Sequence, residues 1–160
     1  MGRRYAVAPR PGVVGAHDRR RQMPDTATDK ATANIEALRK GYEAFQTGNL
    51  DLLRDGIFHQ DIVWHSPGNN PISGDHRGPD AVIASFVKQF ELTDGTFKVE
   101  LHDVLGSDDH AVALARASGQ RNGKSMDQPY AHVCHFRDGK LVEAWILDYD
   151  QNKTDEFLNS

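Results

Sequence analysis

The chain has 160 residues, 38% hydrophobic and 26% charged, with a formal net charge of −4 and one cysteine. That is the size of one domain able to bury its own core, with an ordinary water-exposed balance, and the lone cysteine excludes an internal disulfide framework. No apolar run approaches the ~20 residues of a membrane span, so a reducing, cytoplasmic home is the expectation.

Charge is unevenly spread. Residues 1–22 hold Arg3, Arg4, Arg10, Arg19, Arg20 and Arg21 against Asp18 alone, a net +5 that leaves −9 for residues 23–160. An acidic body is a poor partner for nucleic acid. The basic lead has no aromatic interleaving beyond Tyr5, no amphipathic repeat and no apolar stretch after its arginines, which argues against a nucleic-acid arm, a membrane-binding segment and a secretory signal. The expectation is a disordered tail over residues 1–25, with Met23 a natural start, followed by one domain over 26–160.

From Thr26 the pattern turns helical. Ile35, Leu38, Tyr42 and Phe45 recur at spacings of three and four, with Asp29 available as an early cap and Gly48 as a stop. Asn49 then caps a short second helix through Leu50, Leu52, Leu53 and Ile57. Asp61 to His65 predict a strand with Ile62 and Trp64 on one face and Val63 and His65 on the other. Pro67, Gly68, Pro71, Gly74 and Gly78 forbid regular structure, and Pro79 opens a third helix to Leu92 that carries Val82, Ile83, Phe86, Val87 and Phe90 along one side.

Beyond Asp94-Gly95 the periodicity becomes two. Thr96–Leu105, His110–Gln120, Gln128–Arg137 and Lys140–Asp150 predict four strands joined at Ser107-Asp108-Asp109, Asn122-Gly123 and Asp138-Gly139. Helices followed by an antiparallel meander form an α+β layout, in which the helices cover one face of the sheet.

The order of these elements joins three stretches: Trp64-His65-Ser66-Pro67-Gly68-Asn69-Asn70-Pro71-Ile72-Ser73-Gly74, Phe136-Arg137-Asp138-Gly139-Lys140-Leu141-Val142-Glu143-Ala144-Trp145, and Asp150-Gln151. Together they resemble the ketosteroid-isomerase and SnoaL-like polyketide-cyclase superfamily, over about Asn34 to Phe157. The resemblance implies the nuclear-transport-factor-two-like fold: a curved antiparallel sheet forming a cone, covered on one face by three N-terminal helices. It implies an isomerase or cyclase without cofactor, acting by acid/base catalysis on a hydrophobic carbonyl compound such as a polyketide or steroid. Counting back from Pro71 and Gly74 puts the family's aspartate base at His65. The oxyanion-hole acid falls on Cys134, and the oxyanion tyrosine falls within one residue of Tyr42. Members of the family commonly pair through the outer sheet face, so a homodimer is implied.

If His65 faces the interior, alternation together with the Cys134 position puts Tyr130, His132, Cys134 and Phe136 on the same inner surface. The last strand then offers Ala144, Ile146 and Asp148 inward, and Asp150 too if no bulge intervenes. With Val63, Phe86 and Phe90 these residues would line a mostly apolar chamber for a small hydrophobic ligand. His65 is the candidate base or acid because imidazole titrates near neutrality; Asp148 would orient it, and Tyr42 would stabilise an enolate oxygen. The competing reading makes His65 a hydrogen-bonded residue at a strand end and pairs Asp148 with Arg116. Trp64, Trp145 and Leu147 would face outward as the apolar patch of the homodimer. If the two tryptophans packed beneath the helices instead, every inward assignment would reverse, because one register slip exchanges the faces.

Other chemistries have less support. His132 and His135 face opposite sides of a strand, and His59, His65 and His76 lie in different local settings, so neither a metal nor another cofactor is expected. Cys134 reads as small apolar filler, or as a nucleophile with His132 as its base. No Walker loop, dinucleotide fingerprint or Gly-x-Ser-x-Gly elbow occurs. Two alternative functions stay open: an epoxide hydrolase with an Asp-Arg-Asp group, which Arg116 and Asp148 would partly imitate, and a non-catalytic small-molecule binding module.

Overall fold

The computed structural model describes residues 26–160; the expected tail over residues 1–25 lies outside them. The predicted α+β layout is present. Helix α1 (Thr26–Gln46) leads through a π-helical turn (Leu52–Ile57) into β1 (Phe58–Ser66) and β2 (Gly74–Arg77). Helix α2 (Pro79–Leu92) then precedes β3 (Lys98–Gly106), β4 (His110–Arg121), β5 (Lys124–Arg137) and β6 (Lys140–Asp148), and α3 (Gln151–Leu158) ends the chain. One curved sheet of six strands has the order β2-β1-β6-β5-β4-β3.

The meander follows from its turns. Asn122-Gly123 has φ of 48° and 78°, and Asp138-Gly139 has φ of 52° and 74°. Two consecutive residues at positive φ make the hairpin turn whose twist matches that of the flanking strands, and Asn or Asp followed by Gly adopts it with least strain. β1 joins differently: it runs parallel to β6, with Trp64 beside Ala144 and His65 beside Trp145, after a register shift between Phe58 and Val63.

Helix α1 is pinned along β3 and β4. Buried Asn34 donates from Nδ2 to the carbonyls of Ser107 (2.9 Å) and Asp108 (3.0 Å), and Gln46 Nε2 donates to Val99 O (2.7 Å). Its inward side packs Leu38, Tyr42 and Phe45 toward the sheet, where Phe45 meets Phe86 edge-on and stacks on Phe90. Burial of this aromatic layer is the main driving force holding the helices to the sheet.

Several boundaries differ from the sequence expectation. β1 begins at Phe58, three residues early, and residues 74–77, expected as loop, pair with β1 as an edge strand. β6 ends at Asp148 because Asp150 caps α3, its side chain accepting from Lys153 N at 3.2 Å. Asp150 is therefore an exposed helix cap and not a pocket residue.

A Cβ placed on Gly106 would lie 2.7 Å from Ile35 Cγ1 and 3.1 Å from the carbonyl oxygen of Ala31, so α1 approaches β3 as closely as it does only because this position lacks a side chain. Gly106→Ala is expected to destabilise the fold by about 1–3 kcal/mol through overpacking, measured by urea denaturation.

Candidate functional site

The helices and the inner face of the sheet enclose an open-mouthed cavity of about 130 Å³. Its walls are largely aromatic. Phe58, Trp64 and Phe86 form one corner, with Trp64 and Phe86 edge-to-face at 4.9 Å between ring centroids, and Tyr42, Tyr130 and His132 form another. Among the described residues, Asp148 is the only carboxylate in the lining, and neither Lys nor Arg is present there.

The polar groups form a chain. Tyr130 Oη lies 3.0 Å from Tyr42 Oη, which lies 3.3 Å from His132 Nδ1. Burial pushes both tyrosine pKa values well above the ordinary range and lowers that of His132 to about 3, so the imidazole is neutral. Asp148 faces inward on β6 directly across from Tyr130 on β5. Desolvation raises its pKa, the neighbouring charge of Asp155 adds to the rise, and Thr154 opposes it.

One wall is the loop between β1 and β2, which contributes Ser66, Pro67, Asn70 and Ile72. Helix α3 holds it in place. Asp155 accepts from Asn69 N (2.9 Å) and Asn70 Nδ2 (2.6 Å), and Asn159 Nδ2 donates to Asn69 O (2.8 Å). Burial works to raise the Asp155 pKa, but these hydrogen bonds and a third from Gln151 hold it below the ordinary value. The same helix is tied to β5 through Gln128, whose Nε2 donates to Thr154 and whose Oε1 accepts from Asp150 N.

Residues 38–144 match the SnoaL-like domain family. The chain belongs to that family. An uncharacterized protein from Mycobacterium tuberculosis is 30% identical over 126 residues, which cover 78% of this chain and 95% of that protein. Bal32a, from a soil-derived mobile gene cassette, is 36% identical with a TM-score of 0.77, covering 81% of this chain and 98% of Bal32a. An NTF2-like protein from Burkholderia xenovorans shares the fold at 18% identity, with a TM-score of 0.70 over 81% of this chain and 98% of that one.

The structure brings together only part of the site expected for a SnoaL-like chain from its sequence. Tyr42, Phe86, Tyr130, His132, Ile146 and Asp148 all line the cavity. Cys134 is inward but fully buried beneath the lining, its thiol pKa raised by desolvation, so it is packing and not a nucleophile. Phe90 stands behind the wall, stacked on Phe45 at 5.1 Å. Val63 and His65 belong to the opposite face, which corrects their assignment to the pocket.

The correction has a physical cause. Of the two alternating sets on β1, Phe58, Ile62 and Trp64 carry far more apolar surface than Val63 and His65, and the more apolar set goes under the helices. The apolar contrast between the two sets is visible in the sequence, but pairing with β6 fixes which set the helices cover. Trp64 therefore lies inward while Trp145 stays outward, so the two tryptophans do not share a face. Loop contributors Ser66 and Asn70 and helix contributor Gln89 carried no sequence signal of their own.

On the outer face His65 sits in a carboxylate clamp. Its Nδ1 is 2.6 Å from Asp75 Oδ1 and its Nε2 is 3.0 Å from Glu143 Oε1, while its ring stacks on Trp145 at 5.3 Å. Glu143 also reaches His135 Nδ1 at 3.5 Å, and His135 Nε2 contacts His110 Nε2. Among the described residues no group of three or more His, Cys, Asp or Glu side chains has the geometry to hold a metal ion. Arg116 pairs with Asp127 at 2.8 Å on this face, so it neither neutralises Asp148 nor completes an Asp-Arg-Asp group. Partial burial works to lower the His65 pKa, but the hydrogen bonds to Glu143 and Asp75 outweigh it and raise the value above 6.5.

A raised histidine pKa stabilises the fold below the unfolded value, and that increment is lost as pH rises through the folded one. An NMR pH titration is expected to give His65 a midpoint above 6.5, and Glu143→Gln should lower that midpoint. The stability advantage of wild type over Glu143→Gln should shrink as pH rises through the wild-type midpoint.

Proposed function

We propose that this chain is a cofactor-free isomerase or cyclase acting by acid/base catalysis on a hydrophobic carbonyl compound, with Asp148 as the proton-transfer group. The observation that carries the reading is one desolvated carboxylate beside a pair of tyrosine hydroxyls in the wall of a mostly apolar cavity. Family membership supports the small-molecule pocket; the catalytic roles rest on the chemistry of these side chains.

Desolvation destabilises the Asp148 carboxylate, which makes it a better base toward a weakly acidic C–H. In the proposed step it takes a proton from the carbon next to a substrate carbonyl. The carbonyl oxygen gains charge and accepts a hydrogen bond from the Tyr42–Tyr130 pair, whose hydroxyls sit in a water-poor wall where such a bond is strongest. The enolate then either takes the proton back from Asp148 at another carbon, which is isomerisation, or attacks a second carbonyl, which is aldol-type closure. In the second case the new alkoxide receives the proton. His65 takes no part, being on the far side of the sheet.

We propose further that the outer face pairs two copies of the chain. Leu114, Leu147 and Tyr149 are exposed there, Leu147 at 55% and Tyr149 at 83%, and Trp145 adds its ring edge. Clustered apolar side chains of this size are a common mark of an interface. Light scattering is expected to report a dimer that Leu114→Glu with Leu147→Glu converts to monomer; a wild-type monomer at micromolar concentration would refute the pairing.

The catalytic reading is tested by screening ketones and polyketide-like carbonyl compounds for thermal stabilisation, then following hits by mass spectrometry in deuterated water. Asp148→Asn is expected to slow exchange or conversion by about 10²–10⁴-fold, and Tyr42→Phe by about 10²-fold. Unchanged turnover in Asp148→Asn would remove the proposed base. Stability should move the other way. A raised carboxyl pKa makes wild type lose stability as pH climbs from the ordinary 3.8 through the folded value. Asp148→Asn should therefore melt higher at neutral pH, with the gap closing below pH 3.8.

A further inference from the structure

His132 is 97% buried by its 3% exposure, and its Nε2 has no hydrogen-bond partner. A buried, unpaired nitrogen of this kind is costly, and native cores rarely keep one without a use. Its other ring nitrogen is engaged: Nδ1 meets Tyr42, and Tyr42 meets Tyr130. The ring packs against Trp64 at 4.7 Å and lies in the cavity wall.

We infer that His132 Nε2 is the anchoring point of the pocket, built to take a neutral oxygen, a hydroxyl or ketone, of an otherwise apolar ligand. This rests on reading the cavity as a ligand site, but not on any catalytic role for Asp148. The choice of a neutral oxygen follows from the charges present. Among the described residues the lining has no Lys or Arg, the imidazole carries no charge, and the one carboxylate is Asp148, so a ligand carboxylate or phosphate would be desolvated with no cation to pair it.

The hydroxyl chain lets one nitrogen serve either partner. When Tyr130 donates to Tyr42 and Tyr42 to Nδ1, the imidazole proton is on Nε2, which then donates to a ketone. When Nδ1 carries the proton and donates to Tyr42, Nε2 accepts from a ligand hydroxyl. His132 is thus a specificity-determining residue whose polarity is set by the ligand through Tyr42, with no net change in protonation.

A matched series separates these ideas: naphthalene, α-naphthol and α-naphthoate, titrated while following quenching of tryptophan fluorescence, with calorimetry as the second measure. Wild type is expected to bind α-naphthol at least about tenfold more tightly than naphthalene, the effect of one hydrogen bond to a group otherwise left unpaired. α-Naphthoate should bind weakest. His132→Phe and His132→Leu should abolish the tenfold preference while keeping affinity for naphthalene within about threefold, and both should melt no lower than wild type, since they remove an unpaired polar atom. Asp148→Asn should keep the preference for α-naphthol and bind α-naphthoate better, so loss of catalysis and loss of anchoring are read separately. Equal binding of naphthalene and α-naphthol by wild type would overturn the inference, as would a preference that survives in both His132 variants, or failure of all three compounds to bind.

Discussion

The register of one parallel strand pair governs this molecule. Because Trp64 lies beside Ala144 and His65 beside Trp145, strand β1 delivers its aromatic side chain to the cavity and its imidazole to the outer face. Sliding β1 by one residue would exchange them. The alternative would expose an indole whose burial is worth roughly 4–6 kcal/mol, at ~25 cal/mol per Å² over the ~150–250 Å² of a large aromatic. It would also tear His65 from Asp75 and Glu143 and bury it beside Phe86 and His132. Apolar burial and polar pairing therefore select the same register, and the two faces of the molecule acquire different chemistry from it.

On the inner face, the fold accepts arrangements that a core chosen for stability alone would avoid. Asp148 is held where its ionised form is poorly solvated, His132 keeps an unpaired nitrogen, and the helices stand off the sheet far enough to leave a cavity. Each of these costs free energy in the empty protein. The aromatic layer around them offsets that cost: Phe45 meets Phe86, Phe90 and Phe97 in close ring contacts, and Trp64 braces both Phe86 and His132. These close ring contacts hold the polar side chains of the wall in place.

The end of the chain is part of this machinery. Helix α3 buries Phe157 and Leu158, brings Thr154 to Asp148, and through Asp155 and Asn159 ties down the loop that supplies Ser66, Pro67, Asn70 and Ile72 to the wall. This short helix and its C-cap Asn159 thus couple the electrostatics of the carboxylate to the shape of the cavity. Gly68 has φ of 87°, and a side chain there would run into Asp155 and Gln151, so the loop's glycine is required by this docking as well as by its turn.

By itself the sequence determined the element order, the meander and most of the inner surface. Helical spacing along Leu38, Tyr42 and Phe45, the Asn-Gly and Asp-Gly turns, and alternation along β5 and β6 are local signals, and local signals survive without knowledge of the partner strand. Alternation anchored on the Cys134 position that the family resemblance implied placed Tyr130, His132, Ile146 and Asp148 inward, the resemblance pointed to Tyr42, and all five line the cavity. Only the tertiary structure decided the facing of β1, the edge strand at residues 74–77 and the capping of α3 by Asp150. Strand alternation states which residues share a face but not which face is covered. That second question is answered by pairing between β1 and β6, segments about 80 residues apart in the chain, and by which set of side chains buries more apolar surface.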